Sequence, residues 1–425
     1  MVALSIILFR VLVDLNYQVT AHRFDYQGLF WSNSSDLSVF LSWLFLCALL
    51  PLILWVFRAR SLSSVVLSLL VLVSLIPTTS AIAHRADYEL SFVFLMFAYW
   101  FVLLFLWSII PVIRLPIGNY SFKWFHLMVG AALCCAVIFY SWKNTGLRLH
   151  FGLFDVYDLR EEARNFDAPV IVNYLVAFAD NLLPFFLVYA LYRRNYLVAG
   201  FLALVVLLNF SITGTKQVLF LLFLGPLSFY FVKRFSRVRL APFGLALVLV
   251  FCLIEVAFFD SAPLSTLFAY RVMFIPAELH YSYFSFFQGG DYDYFAQSLL
   301  KWLLVSPYSD NIQFLLGEYS IGDFSARANN GLFSDAYSNL GPLGVVVLPA
   351  AIALLLRILD GAAQGLPERI LLIVAIYLTF VFLGMTLSTA LLSSGVVLLI
   401  ILLSMLPRLE SSRNHIASGP ELTTS

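Results

Sequence analysis

Apolar runs of bilayer length recur along almost the whole chain, and no other feature limits its fold as strongly. A transmembrane helix needs about 20 predominantly apolar residues, within a working range of about 17–25. Bounded by charges and by Gly, Pro and Asn, such runs fall at 3–18, 37–57, 62–83, 90–112, 124–142 and 171–191. They continue at 196–212, 217–232, 241–259, 343–358, 370–385 and 391–406. Composition agrees. Of 425 residues, 62% are hydrophobic and 12% charged, whereas soluble domains are about 45–50% apolar and about 25% charged. A soluble enzyme, a nucleic-acid binder and a disordered chain are therefore excluded. The expectation is an all-α polytopic membrane protein, one integral domain over 1–425, with about twelve transmembrane helices.

The first run has no basic segment before it and no small-residue cleavage site after it, so it reads as a retained helix. Cys47, Cys134, Cys135 and Cys252 all lie inside apolar runs and read as small hydrophobes rather than disulfide partners or zinc ligands. Orientation follows from Lys and Arg in the connections. With both termini in the cytoplasm, the inner loops and the tail (407–425) hold 14 cations against four acids, a net of +10. The rest of the chain holds 11 cations and 20 acids, a net of −9. Inner loops are short. The outer face carries two long connections, 143–170 and 260–341, and loops of that size are uncommon unless they do something.

The second of these holds eight of the 21 tyrosines: Tyr270, Tyr281, Tyr283, Tyr292, Tyr294, Tyr308, Tyr319 and Tyr337. Tyrosine offers a ring to stack on a sugar and a hydroxyl to bind its alcohols; an interfacial aromatic belt accounts for the same residues. Cations on this acidic face are more telling, because the positive-inside bias disfavours them there. Lys216 ends the turn Thr213-Gly214-Thr215-Lys216. Arg271 opens the stretch that runs through Glu278, His280 and Tyr281, and Arg327 precedes Asn330, Asp335 and Tyr337. Arg160 and Arg164, four apart, share a face of a short helix expected over 157–166. Such cations can converge on a diphosphate, for which Arg is the preferred bidentate partner. Snorkelling and local pairing, with Asp158, Glu161 or Glu162 for the Arg160 pair, are the alternatives.

Arg10 and Asp14, four apart in the first helix, predict an intrahelical ion pair. Asp180 and Glu255 are polar contacts or pathway residues. The chain has no phosphate-binding Gly-x-x-x-x-Gly-Lys loop, no Gly-x-Gly-x-x-Gly, no His-Glu-x-x-His, no Cys-x-x-Cys and no Gly-x-Ser-x-Gly. Asp291-Tyr292-Asp293 matches the short Asp-x-Asp pattern of metal-using sugar transferases, a weak signal in an acidic loop.

At Thr213–Lys216, at Val156-Tyr-Asp-Leu-Arg160, and above all at Ala328-Asn-Asn-Gly-Leu-Phe-Ser-Asp-Ala-Tyr-Ser-Asn-Leu-Gly-Pro-Leu-Gly344, the chain resembles the Wzy family of O-antigen (oligosaccharide repeat-unit) polymerases of bacterial inner membranes. Lys216 departs from that pattern: relatives often carry Arg there, and Lys keeps the charge but loses the fork. The resemblance implies a GT-C-like glycosyltransferase that uses no metal and no cofactor. Its donor and acceptor are undecaprenyl-diphosphate-linked oligosaccharides at the periplasmic face. Its partners are membrane lipid, a chain-length regulator and a flippase, with no nucleic acid.

Preorganised cations lower the barrier to breaking a glycosyl–diphosphate bond. That points to Arg271 and Arg327, aided by Lys216 and Arg160. An acceptor hydroxyl needs a base. Asp335 is the first choice, with Glu278 and His280 next; Asp335 equally caps the following helix or pairs with Arg327. Asn330, Tyr337 and Asn339 are candidate sugar ligands, and Gly331 allows close backbone approach. An O-antigen ligase and a lipid-linked oligosaccharide flippase are the competing functions.

Overall fold

A computed structural model describes residues 1–24, 33–115, 124–150, 156–166, 168–259, 262–324 and 326–408. In chain order its helices begin with α1 (Val2–Arg23), α2 (Asp36–Arg58), α3 (Leu62–His84), α4 (Leu90–Ile109), α5 (Phe125–Thr145) and α6 (Val156–Arg164). They continue with α7 (Val170–Tyr192), α8 (Tyr196–Thr213), α9 (Lys216–Val232), α10 (Ala241–Phe258), α11 (Ile275–Phe287) and α12 (Ile312–Ile321). The last are α13 (Phe333–Ala363), α14 (Glu368–Gly384), α15 (Leu387–Leu392) and α16 (Val396–Met405). A π-helical stretch, Thr266–Phe274, leads into α11. Among the described residues the only strand-like pairing is an isolated bridge between Asn33 and Arg85.

Among the described residues, nine helices are long and apolar enough to cross a membrane: α1–α5, α7, α8, α10 (with the Phe235–Leu240 turn before it) and α13. All twelve expected runs are helical over most of their length, yet three fall short. These are α9, the 17-residue α14 and the 10-residue α16. The final run, expected to be continuous from 391 to 406, is cut. α15 stops at Leu392, and Gly395, with φ at +82°, starts a new helix. That left-handed conformation suits glycine, so a run that looks uniformly apolar carries its own break.

One compact unit comprises 1–111, 234–357 and 375–393. Its spine is α3, whose most apolar window is 89% buried, against 22–50% for the other spans. Small polar residues make that possible: Ser63, Ser64, Ser68, Ser74, Thr78, Thr79 and Ser80 are all buried in it and let neighbouring helices approach closely. Capping boxes at Ser35 with Ser38 and at Ser61 with Ser64 satisfy the first amides of α2 and α3. Helix α1 packs along α10 and α3, and α2 along α3 and α4.

The second unit comprises 112–233, 358–374 and 394–425. Its helices α5, α7, α8 and α9 pack together. Amide side chains cross-link them: Gln217 donates to Asn181 Oδ1 (2.8 Å), and Asn181 donates to the Ser394 carbonyl (3.2 Å). Asn209 donates to Asp180 (2.6 Å), so Asp180 is a polar contact within the bundle.

The long connection 260–341 is not an irregular loop. Its described part holds the π-helical stretch, α11, α12 and the first turns of α13. Glu255, at the end of α10, starts this ordered segment: its carboxylate accepts the backbone N–H groups of Leu264 (3.0 Å) and Ser265 (2.7 Å). Helix α13 kinks at Gly341 (φ 56°, ψ −139°), where any side chain would overlap the Tyr292 ring. The apolar part of α13 therefore begins just past 341, as the hydrophobic pattern predicts.

Candidate functional site

Two stretches of the long 260–341 connection, singled out by their arginines, meet in the first unit. Asn330 reaches α11 and donates to the Pro276 carbonyl (3.0 Å), while its amide nitrogen also lies 3.1 Å from His280 Nδ1 and 2.8 Å from Ser334 Oγ. The Tyr283 hydroxyl donates to the Ala328 carbonyl (2.8 Å), and Phe284 packs against Tyr337 with ring centroids 5.1 Å apart. Residues 276–284 and 328–337, roughly fifty positions apart in sequence, thus pack against one another.

Most of the stretch from Ala328 to Gly344 serves to hold these segments together. Asp335 is 2% exposed; its carboxylate accepts the Leu387 N–H (2.7 Å) and the Asn339 amide (2.9 Å), tying α13 to the first residue of α15. A carboxylate at a helix N-terminus is well placed against the helix dipole. The base expected at Asp335 therefore sits as a buried cap with both oxygens engaged. Gly331 does permit close approach, but of its own chain: a Cβ there would overlap the Phe382 carbonyl, and its N–H donates to the Leu383 carbonyl (3.0 Å). Tyr337, 3% exposed, stacks on Phe333 at 5.7 Å in an aromatic core. Tyr281 stacks on Tyr88 at 4.1 Å.

The other two base candidates are buried as well. His280 (1% exposed) has its Nδ1 beside Asn330 and Ser334, and burial pushes its pKa from 6.5 down to about 3. Because the Pro276 carbonyl fixes the Asn330 amide, Nδ1 meets a donor and must accept. The ring is then the neutral Nε2–H tautomer. Glu278 (1% exposed) is the centre of a polar cluster. Its Oε2 accepts Arg85 Nη1 (2.8 Å) and the Tyr88 hydroxyl (2.7 Å), and its Oε1 accepts the Tyr17 hydroxyl. Burial pushes the Glu278 carboxyl above the usual range, and Arg85, Tyr17 and Tyr88 act against that push. Arg85 also forks onto Asp87, with both contacts at 2.8 Å, and this holds the Asp87 carboxyl below its ordinary value.

Arg271 and Arg327 contrast with this cluster. Both are exposed, and among the described residues neither has an ion-pair partner. Arg271 lies in the π-helical stretch, a conformation common at functional sites. Arg327 lies 5.0 Å over the ring of Phe314. Asp293 of the Asp-x-Asp pattern is buried, with its oxygens on the Gln297 N–H (2.9 Å) and the Ser306 hydroxyl (2.7 Å).

In the second unit, Arg160 of α6 donates to the Gly214 carbonyl (3.0 Å), so the Val156–Arg160 and Thr213–Lys216 motifs meet. Gly214 takes φ +57°, and Lys216 is the first residue of α9. Glu162 pairs with Arg148. The side chain of Arg164 lies outside the described residues.

The apolar interior of the first unit holds more charge than expected. Arg10, fully buried, pairs with Asp14 as predicted and also donates to Thr79 Oγ1 (3.0 Å) and to the Thr79 carbonyl (3.0 Å). Asp14 accepts the Ser80 hydroxyl (2.6 Å) and lies 3.7 Å from His84. His84 stacks on Tyr17 at 4.9 Å, which links this string to Glu278 and Arg85. Arg85 escaped the sequence reading, although it is an outer-face cation by the same topology that marked Arg271. No family model, curated protein or solved structure matches the chain.

Proposed function

We propose that this chain is a bacterial inner-membrane glycosyltransferase of the repeat-unit polymerase kind, with twelve membrane passages and both termini in the cytoplasm. It moves a growing glycan from undecaprenyl diphosphate to a new lipid-linked repeat unit at the periplasmic face. One observation carries the reading. Within the described part of the 260–341 connection Glu278 engages Arg85, while Arg271 and Arg327 keep exposed guanidinium groups without a carboxylate partner among the described residues.

Cleavage of a glycosyl–diphosphate bond leaves its electron pair on the phosphate oxygen. Fixed cations near that oxygen stabilise the charge as it develops, and uncommitted arginines serve best because no internal carboxylate competes. Glu278 and Asp335 hold this connection in shape, and the charge-stabilising step rests on Arg271 and Arg327.

A second reading has its own support. The buried Arg10–Asp14–His84 string lies inside a spanning helix pair, where ionisable residues often line a pathway; this favours a lipid-linked oligosaccharide flippase. A deletion strain separates the possibilities. Loss of a polymerase leaves lipopolysaccharide capped with a single repeat unit. Loss of a ligase leaves uncapped core with long lipid-linked chains. Loss of a flippase removes both products. Complementation with Arg271→Ala or Arg327→Ala gives the single-unit pattern at normal protein abundance if the proposal holds, and normal long chains from either variant overturn it.

A further inference from the structure

The connection between α11 and α12 contains an apolar protrusion that nothing among the described residues covers. Trp302 is 94% exposed, Leu303 81% and Val305 95%, with Leu299 at 56%, and Lys301 is exposed among them. Large contiguous apolar surface left open on a folded protein marks an interaction site.

The protrusion is built rather than loose. Its neck closes on Asp293, whose carboxylate binds Gln297 and Ser306 on the two sides of the tip. The Gln297 amide adds bonds to Ser306 Oγ (3.2 Å) and to the Asp310 carbonyl (2.7 Å). The tip turns on the Leu300 carbonyl, which accepts the N–H groups of Leu303 (2.8 Å) and Leu304 (2.9 Å). The base is bolted to α13. Asp293 N–H donates to the Ser338 carbonyl (2.9 Å), Tyr294 N–H to the Asn339 carbonyl (3.1 Å), and Phe295 N–H to Asn339 Oδ1 (2.8 Å). Tyr294 and Phe295 both hold positive φ (51° and 62°), a conformation aromatic residues adopt only when their surroundings impose it.

The attachment point identifies what covers the tip. Ser338 and Asn339 lie immediately before the Gly341 kink. Just past it, α13 exposes Leu343 (65%), Val346 (50%) and Val347 (43%), the apolar outer surface of a spanning helix. The base of the protrusion is therefore anchored a few residues before the exposed apolar surface of a helix long enough to span a membrane. Its composition suits the water–lipid boundary: a Trp, several aliphatic side chains, and one Lys that can snorkel to a lipid phosphate.

We propose that residues 299–305 form a finger that inserts into the headgroup and upper acyl region of the bilayer beside α13, fixing the outer connection against the membrane. The occupant is lipid, and the proposal does not depend on the enzymatic reading.

The test uses the full chain with Cys47, Cys134, Cys135 and Cys252 replaced. A single Leu303→Cys carries an environment-sensitive fluorophore, with Val305→Cys as the second site should the first variant fold poorly. Phe251→Cys on the exposed face of α10 is the lipid-facing reference. Each is placed at one copy per nanodisc of phosphatidylethanolamine and phosphatidylglycerol. The expected result is quenching of the Leu303 probe by lipids carrying a nitroxide near the glycerol, with several-fold protection from aqueous iodide relative to free dye. Iodide access equal to that of free dye overturns the proposal. So does protection that appears only with two copies per disc, which makes a second chain the occupant.

Discussion

Arg85 and Arg271 belong to the same compact unit and lie on the same expected face, yet they carry charge to opposite ends. Arg85 is held between Asp87 and the buried Glu278, and its charge is spent on joining α11 to the segment after α3. Arg271 and Arg327 are exposed, and among the described residues no carboxylate pairs with either. The difference shows that an unusual cation on an acidic face is not by itself evidence of a site. What decides is whether a carboxylate inside the protein has already claimed it.

Removing one partner of a buried ion pair leaves the other charge uncompensated, which costs about 3–5 kcal/mol. Arg85→Ala, which strands the buried Glu278, is therefore expected to lower folded protein in the membrane sharply, read by abundance and by thermal unfolding in detergent; Glu278→Gln, which leaves Arg85 on Asp87, lowers it less. Equal loss from Arg271→Ala would erase the contrast between the two regions. Arg271→Ala is instead expected to leave unfolding unchanged and to slow glycan transfer by about 10²–10³-fold, the usual effect of deleting one charge-stabilising donor. Chain-length distribution in a timed polymerisation assay measures it.

Arg271→Lys sharpens the same comparison with a smaller effect. Lysine keeps the charge without the bidentate fork, so transfer recovers partly, by about tenfold over Arg271→Ala, if the fork contributes about 1.4 kcal/mol. Recovery to the parent rate would reduce the role to net charge.

The smallest effect concerns pH. His280 is held neutral in the folded state, with its pKa lowered from 6.5 to about 3. Its stabilising contribution is complete above 6.5. It is lost as pH falls through that value, because the unfolded chain then binds a proton that the folded chain refuses. The slope is about 1.4 kcal/mol per pH unit per proton. Unfolding measured between pH 7 and 5 should show His280→Gln less acid-sensitive than the parent by roughly that slope; equal slopes would place the titration elsewhere.

Much of the fold was legible because apolar length and flanking charge are local properties. All twelve runs are helical over most of their length, and the turn at Thr213–Lys216, the short helix carrying Arg160 and the apolar part of α13 past its Gly341 kink lie where the residues predict. What could not be read depends on contacts between distant positions. Glu278 meets Arg85 across 193 residues, and nothing near either one announces the other. The motif at 328–344 was visible, but its division of labour was not. Gly331 and Gly341 make room for the Phe382 carbonyl and the Tyr292 ring, and Asp335 caps α15 at Leu387 rather than the helix that follows it in sequence. The break at Gly395 was written in the sequence and outweighed by the leucines around it.

The most direct test is equilibrium binding of undecaprenyl diphosphate to the purified full chain, compared among the parent, Arg271→Ala, Arg327→Ala and the double variant. The account predicts weaker binding in each single variant, near-complete loss in the double, and a marked fall with added salt in the parent. Undiminished binding by the double variant, folded as well as the parent, would contradict it.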